Sequence, residues 1–215
     1  MSSDTVVIST AYFPPIQQFA HLVSNSRILL EEHENYTKQT YRNRCSILSA
    51  NGPHSLTIPV VKHSGSKTPI RAVEIDYSMA WQKVHWRAIE SAYKNSPYFE
   101  HIADSLIPFF EKKTKYLFDL NLMLIETILD FLEITTHIET TSEYIPCYQE
   151  NQLDLRGLSP KDDANKIESK YRDVPYYQVF SHKQSFVPNL SVIDLVFNEG
   201  LLSIDIMRST IKKLA

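Results

Sequence analysis

At 215 residues and a net charge of -3, the chain has material for one large domain and lacks the bulk cationic surface of a general nucleic-acid binder. Its 43% hydrophobic and 22% charged residues exclude a disordered polypeptide. Four glycines leave neither a G-x-x-x-x-G-K-[ST] nor a G-x-G-x-x-G phosphate loop, which sets aside P-loop NTPases and dinucleotide-binding dehydrogenases.

The β-branched run TVVIST (5–10) predicts a buried strand entering the loop AYFPPI. Pro14 and Pro15 then open a helix, with Ile16, Phe19, Ala20 and Val23 at helical spacing. RILLEE (27–32) predicts a second strand. Strand, helix, strand favours a parallel pair with its loop at the strand's carboxyl end, where open α/β sheets bind ligands. Cys45 to Leu48 and Leu56 to Val61 flank Asn51-Gly52 and predict an antiparallel hairpin, whose register Pro53 leaves open. IRAVEID (70–76) alternates and predicts one more strand.

The second half predicts helices. MAWQKVHWRAIESAYKN puts Trp81, Val84, His85, Ala88, Ile89 and Ala92 on one face. PYFEHIADSLIPFFEKK carries a proline near its first turn, and KYLFDLNLMLIETILDFLEI is apolar over much of its surface, as a core helix is. Glu126 and Asp130 interrupt that stretch, so no membrane span is expected. THIETTSEY predicts a strand. Residues 149–174 are polar, with a capping-like SPKD, and are the candidate mobile segment or lid. LSVIDLVFNEG predicts a helix capped by Ser191 and closed by Gly200. The expected organisation is one domain over 1–215, mainly sheet-forming at 1–78 and mainly helical at 79–215. Cys45 and Cys147 form no C-x-x-C pair, and MSSDTVVIST lacks the pattern of a signal peptide; reduced thiols and a cytoplasmic location are expected.

YTKQTYRNR (36–44) gathers Lys38, Arg42 and Arg44 among tyrosines and amides. On an extended chain Arg42 and Arg44 share a face, roughly 7 Å apart, and could clamp a phosphate or carboxylate. The alternative is a solvated edge strand. Tyr12, Phe13 and Pro14 offer an aromatic wall for a sugar or base, or a helix-starting turn. Glu32 and Glu34 share a face near the end of the second strand and are candidates for a general base. No histidine stands at i+4 from His33, so no metal site is predicted. His85 and Arg87 beside two tryptophans fit catalysis or a satisfied helix histidine. Asp194, three beyond Ser191, fits a capping box, and Asn189 fits a turn.

Taken together, AYFPPI with its apolar helix, ENYTKQTYRNRCSI, NGPHSLTIPV, AWQKVHWRAIESAYKNSPYFE and YYQVFSHKQSFVPNLSVIDLVFNEG resemble the WbqC-like protein family over nearly the whole chain. Members are largely uncharacterised. Some lie in gene clusters for bacterial surface polysaccharide, notably O-antigen, and a glycine-transferase role has been suggested for some. The resemblance implies a transferase that decorates a sugar or nucleotide-sugar precursor. It points to Tyr12, Pro14, Tyr36, Lys38, Tyr41, Arg42, Asn43, Arg44, Pro59, Asn189 and Asp194. Of these, Lys38, Arg42 and Arg44 would take the anion, and Tyr12 and Tyr36 would orient the ring or its hydroxyls. Many members carry a Gln-Pro pair where this chain reads STAYFPP, so a ligand role for that glutamine does not transfer. The family assigns no base.

The expected fold is α/β, with a strand–helix–strand and a hairpin packed by a helical C-terminal half. It compares with nucleotidyltransferase-like Rossmann folds, although the H-x-G-H of those enzymes is absent. The expected partner is a small anionic substrate, a phosphorylated sugar or nucleotide sugar. The alternative is a non-catalytic binding or scaffold protein of the same pathway. Cofactor and oligomeric state are left unassigned.

Overall fold

The computed structural model describes residues 5–61, 67–149, 152–161, 168 and 171–211. The opening run forms β1 (Thr5–Ser9), whose Val6, Val7 and Ile8 are buried, as the central strand of a sheet covered on both sides demands. Pro14 and Pro15 lead into α1 (Ile16–Ser24), and the chain returns as β2 (Arg27–Glu31), parallel to β1 with Val7 opposite Leu29. The hairpin pairs β3 (Arg44–Ser49) with β4 (Gly52–Thr57), antiparallel. Its loop is Ala50-Asn51, because Gly52, at φ 107, still pairs with Ser49. The second strand stops at Thr57, short of the predicted Val61.

IRAVEID is not a strand. Ile70–Ala72 forms a 3-10 turn, followed only by isolated bridges at Glu74 and Ile75. Its buried residues, Ile70, Val73 and Ile75, are spaced three and then two apart, so no single period is kept. Next come α2 (Trp81–Tyr93), α3 (Phe99–Glu111) and α4 (Leu117–Phe131). The α2 face differs from expectation at Val84, which is 62% exposed, while Trp81, His85, Ile89 and Ala92 are buried. THIETTSEY supplies β5 (His137–Thr140), parallel to β2.

Part of the predicted lid is sheet. β6 (Gln152–Asp154) pairs parallel with β1, Val7 opposite Asp154, and Leu155 and Leu158 are buried behind it. Residues 150–151, 162–167 and 169–170 of that segment lie outside the described residues. The chain ends with α5 (Val192–Glu199) and α6 (Ser203–Thr210), the latter packed on α1. The result is a mixed α/β fold: a parallel sheet in the order β5-β2-β1-β6, a separate two-stranded hairpin and a mostly helical C-terminal half.

Ser191 caps α5 by accepting from the Ile193 amide at 3.4 Å, as predicted. Gly200 ends it at φ 55, and a Cβ there would lie 2.6 Å from the Tyr98 ring. Gly200→Ala is therefore expected to cost about 2–3 kcal/mol, combining left-handed strain with overpacking. A lowered urea midpoint with an unchanged slope would show this; an unchanged midpoint would mean that the Tyr98 ring moves aside freely.

Candidate functional site

The order β5-β2-β1-β6 means that the chain leaves β1 toward β2 and β5 on one side, and later places β6 on the other. The two halves of the connectivity part between the carboxyl ends of β1 and β6, the crevice where open α/β sheets hold ligands. Ser9 ends β1, Glu31 ends β2, and Asp154 ends β6 with Arg156 two residues on.

Two buried guanidinium groups organise this edge. Arg42 donates from Nε to Glu34 Oε1 at 2.7 Å and from Nη2 to Glu34 Oε2, to Ser9 Oγ (2.7 Å) and to the Arg156 carbonyl (3.3 Å). Arg156 donates to both Asp154 oxygens at 2.9 and 2.6 Å, and from Nη1 to Glu31 Oε2 at 2.9 Å. Glu31, fully buried, also accepts from the His33 amide and the Thr141 hydroxyl. The rings of Tyr144 and Tyr148 lie 5.1 and 4.7 Å from the Arg156 guanidinium carbon, within cation–π range. Burial raises the Tyr148 phenol, against the lowering effect of Arg156, so its hydroxyl keeps its proton at neutral pH. Asn121 on α4 ties the Arg42 carbonyl and Thr10 Oγ1 together at 2.8 and 3.1 Å.

Over this floor lie two adjoining cavities. One, of about 500 Å³, is lined by Glu34, Thr37, Arg42, Tyr144, Asp154 and Arg156 among others, with Lys67 at its side. The other, of about 360 Å³, shares Thr37, Arg42, Arg156 and Gly157 and adds Lys38, Thr40, Ser159 and Lys161. Both fall in the size range of small-molecule sites. A larger cavity, about 750 Å³, lies elsewhere, on the α2–α3 surface, with Met79, Trp86, Ile107 and Phe110 as its apolar wall and Gln82, Lys83, Glu111 and Lys113 among its lining; it takes in none of the sequence-predicted site residues.

The sequence-predicted residues divide between this edge and the core. Glu34 and Arg42 meet at its centre, and Lys38 lines the smaller cavity. The expected Arg42–Arg44 clamp does not form, because Arg42 sits in a turn before β3 rather than on the strand. Arg44 instead reaches Thr57 Oγ1 at 3.1 Å on the hairpin. Tyr36 is half-buried; burial raises its phenol while Arg42 and Arg44 oppose the rise. Tyr41 is partly buried against the core. Glu32 lies past the end of β2, 3.6 Å from Arg71, and lines neither cavity.

The remaining candidates are joints. Tyr12 is fully buried, with its hydroxyl 3.0 Å from His85 Nδ1, and burial pushes His85 down to about 4, leaving it neutral. Pro14 is buried and its carbonyl accepts from Val192; Asn189 Oδ1 accepts from the Gln17 amide at 2.9 Å, capping α1 from across the molecule. Asn43 bonds to Ile58 in both directions, with Pro59 following it. The Asp194 side chain does not close a capping box on Ser191: both of its oxygens are buried away from any well-formed hydrogen bond. Sequence reasoning missed Ser9, Asp154, Arg156 and Lys161, and passed over Glu31, one of the acids at the end of the second strand, in favour of Glu32 and Glu34 on their shared face. The one local signal was Asp154-Leu-Arg156, an acid and a cation two apart on an extended chain.

Among the described residues no group of three or more metal-ligating side chains converges, and no helix is long and apolar enough to cross a membrane. Both cysteines are unpaired, Cys45 buried and Cys147 exposed. The model of the WbqC-like protein family matches residues 10–161. Uncharacterized protein Rv1507c of Mycobacterium tuberculosis is 28% identical over 225 residues, spanning 94% of this chain and 96% of its own length. No solved structure matches.

Proposed function

The chain belongs to the WbqC-like protein family, and on that premise we propose that it is a transferase of surface-polysaccharide biosynthesis acting on an anionic sugar or nucleotide-sugar precursor. The observation that carries this reading is the pair of guanidinium groups at the carboxyl edge of the sheet, each holding a carboxylate that also lines a cavity. A substrate anion competing for Arg42 loosens Glu34 from its partner. A carboxylate freed in a half-dry site is a base placed to take a proton. In an aminoacyl transfer, glycyl for example, a sugar amine or hydroxyl attacks an activated acyl carbon. The bond to the donor's leaving group breaks with its electron pair, and Glu34 takes the nucleophile's proton.

Bidentate pairing of both acids favours a second reading, a binding protein in which Glu34 and Asp154 serve only to hold the arginines. A thermal-shift screen against sugar phosphates, nucleotide sugars and amino acids separates the possibilities. A bound ligand is expected to stabilise the protein by roughly 2.7 kcal/mol at a hundredfold excess over its dissociation constant. Arg42→Gln should lose that shift and Arg44→Ala should keep it. Glu34→Gln should bind but not transfer, by at least a hundredfold in rate. Equal turnover in Glu34→Gln removes the base assignment; binding without turnover in the wild type leaves the binding protein.

A further inference from the structure

The two cavities at the sheet edge share one wall but differ in charge. The larger sets Glu34 and Asp154 against Lys67, Arg42 and Arg156, with the Tyr144 ring beside them. The smaller has Lys38, Lys161, Arg42 and Arg156 on its walls, with Thr37, Thr40 and Ser159, and no carboxylate among its described lining residues. Lys161 Nζ donates to a neutral acceptor, Gln39 Oε1, at 2.6 Å, which positions the ammonium group. Among the described residues no carboxylate pairs with Lys38 or Lys161.

We propose that the smaller cavity is a phosphate subsite and the larger a sugar subsite, so that the substrate is a glycosyl phosphate lying across Arg42 and Arg156. The inference rests on the reading of this edge as the substrate site and adds the direction in which the substrate lies. Phosphate oxygens need several donors at once: lysine ammonium groups and hydroxyls supply them, and a wall without acids avoids like-charge repulsion. In the larger cavity Glu34 and Asp154 offset part of the positive charge of Lys67, Arg42 and Arg156 and can accept from sugar hydroxyls, while the Tyr144 ring offers an apolar face to the C–H side of a pyranose. Arg42 and Arg156 stand between the two ends, and the phosphate is the anion that draws Arg42 away from Glu34.

The test measures binding of inorganic pyrophosphate, glucose and glucose 1-phosphate by calorimetry at fixed ionic strength. Wild type is compared with Lys38→Met, Lys161→Met, Asp154→Asn and Gly157→Phe. Gly157 lines both cavities, and a Cβ added there would meet nothing within 4 Å, so a phenylalanine fits the backbone and obstructs both. Pyrophosphate should bind the wild type and weaken about tenfold or more with each lost lysine, the worth of one charge-assisted hydrogen bond. Asp154→Asn should weaken glucose 1-phosphate and leave pyrophosphate unchanged. Pyrophosphate binding that Gly157→Phe abolishes and the lysine variants leave intact would overturn the subsite assignment while the edge remains the substrate site. Binding indifferent to Gly157→Phe would overturn both. No binding of pyrophosphate or glucose 1-phosphate to the wild type overturns the phosphate subsite.

Discussion

Replacing Arg156 by methionine is expected to destabilise the protein by about 3–5 kcal/mol, the cost of leaving a buried partner charge uncompensated. Glu31 is that partner. It is fully buried at the end of β2, and Arg156 is its only cationic neighbour among the described residues. The His33 amide and the Thr141 hydroxyl remain, but two neutral donors do not balance a desolvated carboxylate. Without the guanidinium the Glu31 carboxylate is left buried with no compensating charge among the described residues. Adding Glu31→Gln should recover part of the loss, because the orphaned charge is gone. Urea unfolding of the two single variants and the double variant closes the cycle. A deficit under about 1 kcal/mol would mean that water reaches Glu31 and the pair is worth no more than a surface salt bridge.

That same pair shows why the site is only half legible in the sequence. Glu34, Lys38 and Arg42 stand within nine residues, and a local clustering of charge can be read by eye. Arg156 stands more than a hundred residues later, in a polar stretch that reads as a loop, and only the parallel pairing of β6 with β1 carries it to Ser9. Three residues of strand give too little periodicity to announce themselves. The elements that are legible are those with a strong period or unambiguous punctuation: β1, α1, β2, the core helix α4 and the Ser191–Gly200 bounds of α5. IRAVEID misleads because its alternation is real over only its last residues, while Pro69 and the Glu34 carbonyl that receives the Ile70 amide start a turn there.

The residues that the family resemblance singles out divide in an instructive way. Asn43, Asn189, Pro14 and Tyr12 bind other parts of the chain rather than the cavities. Each sits where a loop must be fixed against a distant element: Asn189 at the start of α1, Asn43 at the base of the hairpin, Tyr12 beneath α2. A polar residue inside an otherwise apolar pattern invites reading as a ligand contact, yet a buried polar residue has first to satisfy the backbone around it. Arg42 does both, and its turn conformation explains how: the guanidinium points back under β1 rather than outward beside Arg44.

Asp194 extends the point to titration and sets a large pH effect. Fully buried in α5, its carboxyl is pushed up to about 8 by burial, which the Tyr93 and Tyr176 hydroxyls oppose only in part. The folded protein therefore holds a proton at pH 7 that the unfolded chain, near 3.8, has released. A raised carboxyl gives stability that is complete below about pH 4 and is lost as the pH rises through 8, by up to roughly 1.4 kcal/mol per unit. Asp194→Asn keeps the shape and removes the titration. Its stability relative to wild type should thus improve by about 3–4 kcal/mol between pH 5 and pH 8, read from urea midpoints at each pH. Parallel curves for the two proteins would mean that Asp194 is ionised when folded and holds a partner within α5's surroundings. The neighbouring phenols titrate far above this window, so they do not blur the comparison. The start of α5 is stitched to the loop after β1 through Ser191 to Phe13 and Val192 to Pro14. The cost of ionising Asp194 therefore falls on the helix whose first turn fixes the loop that follows β1.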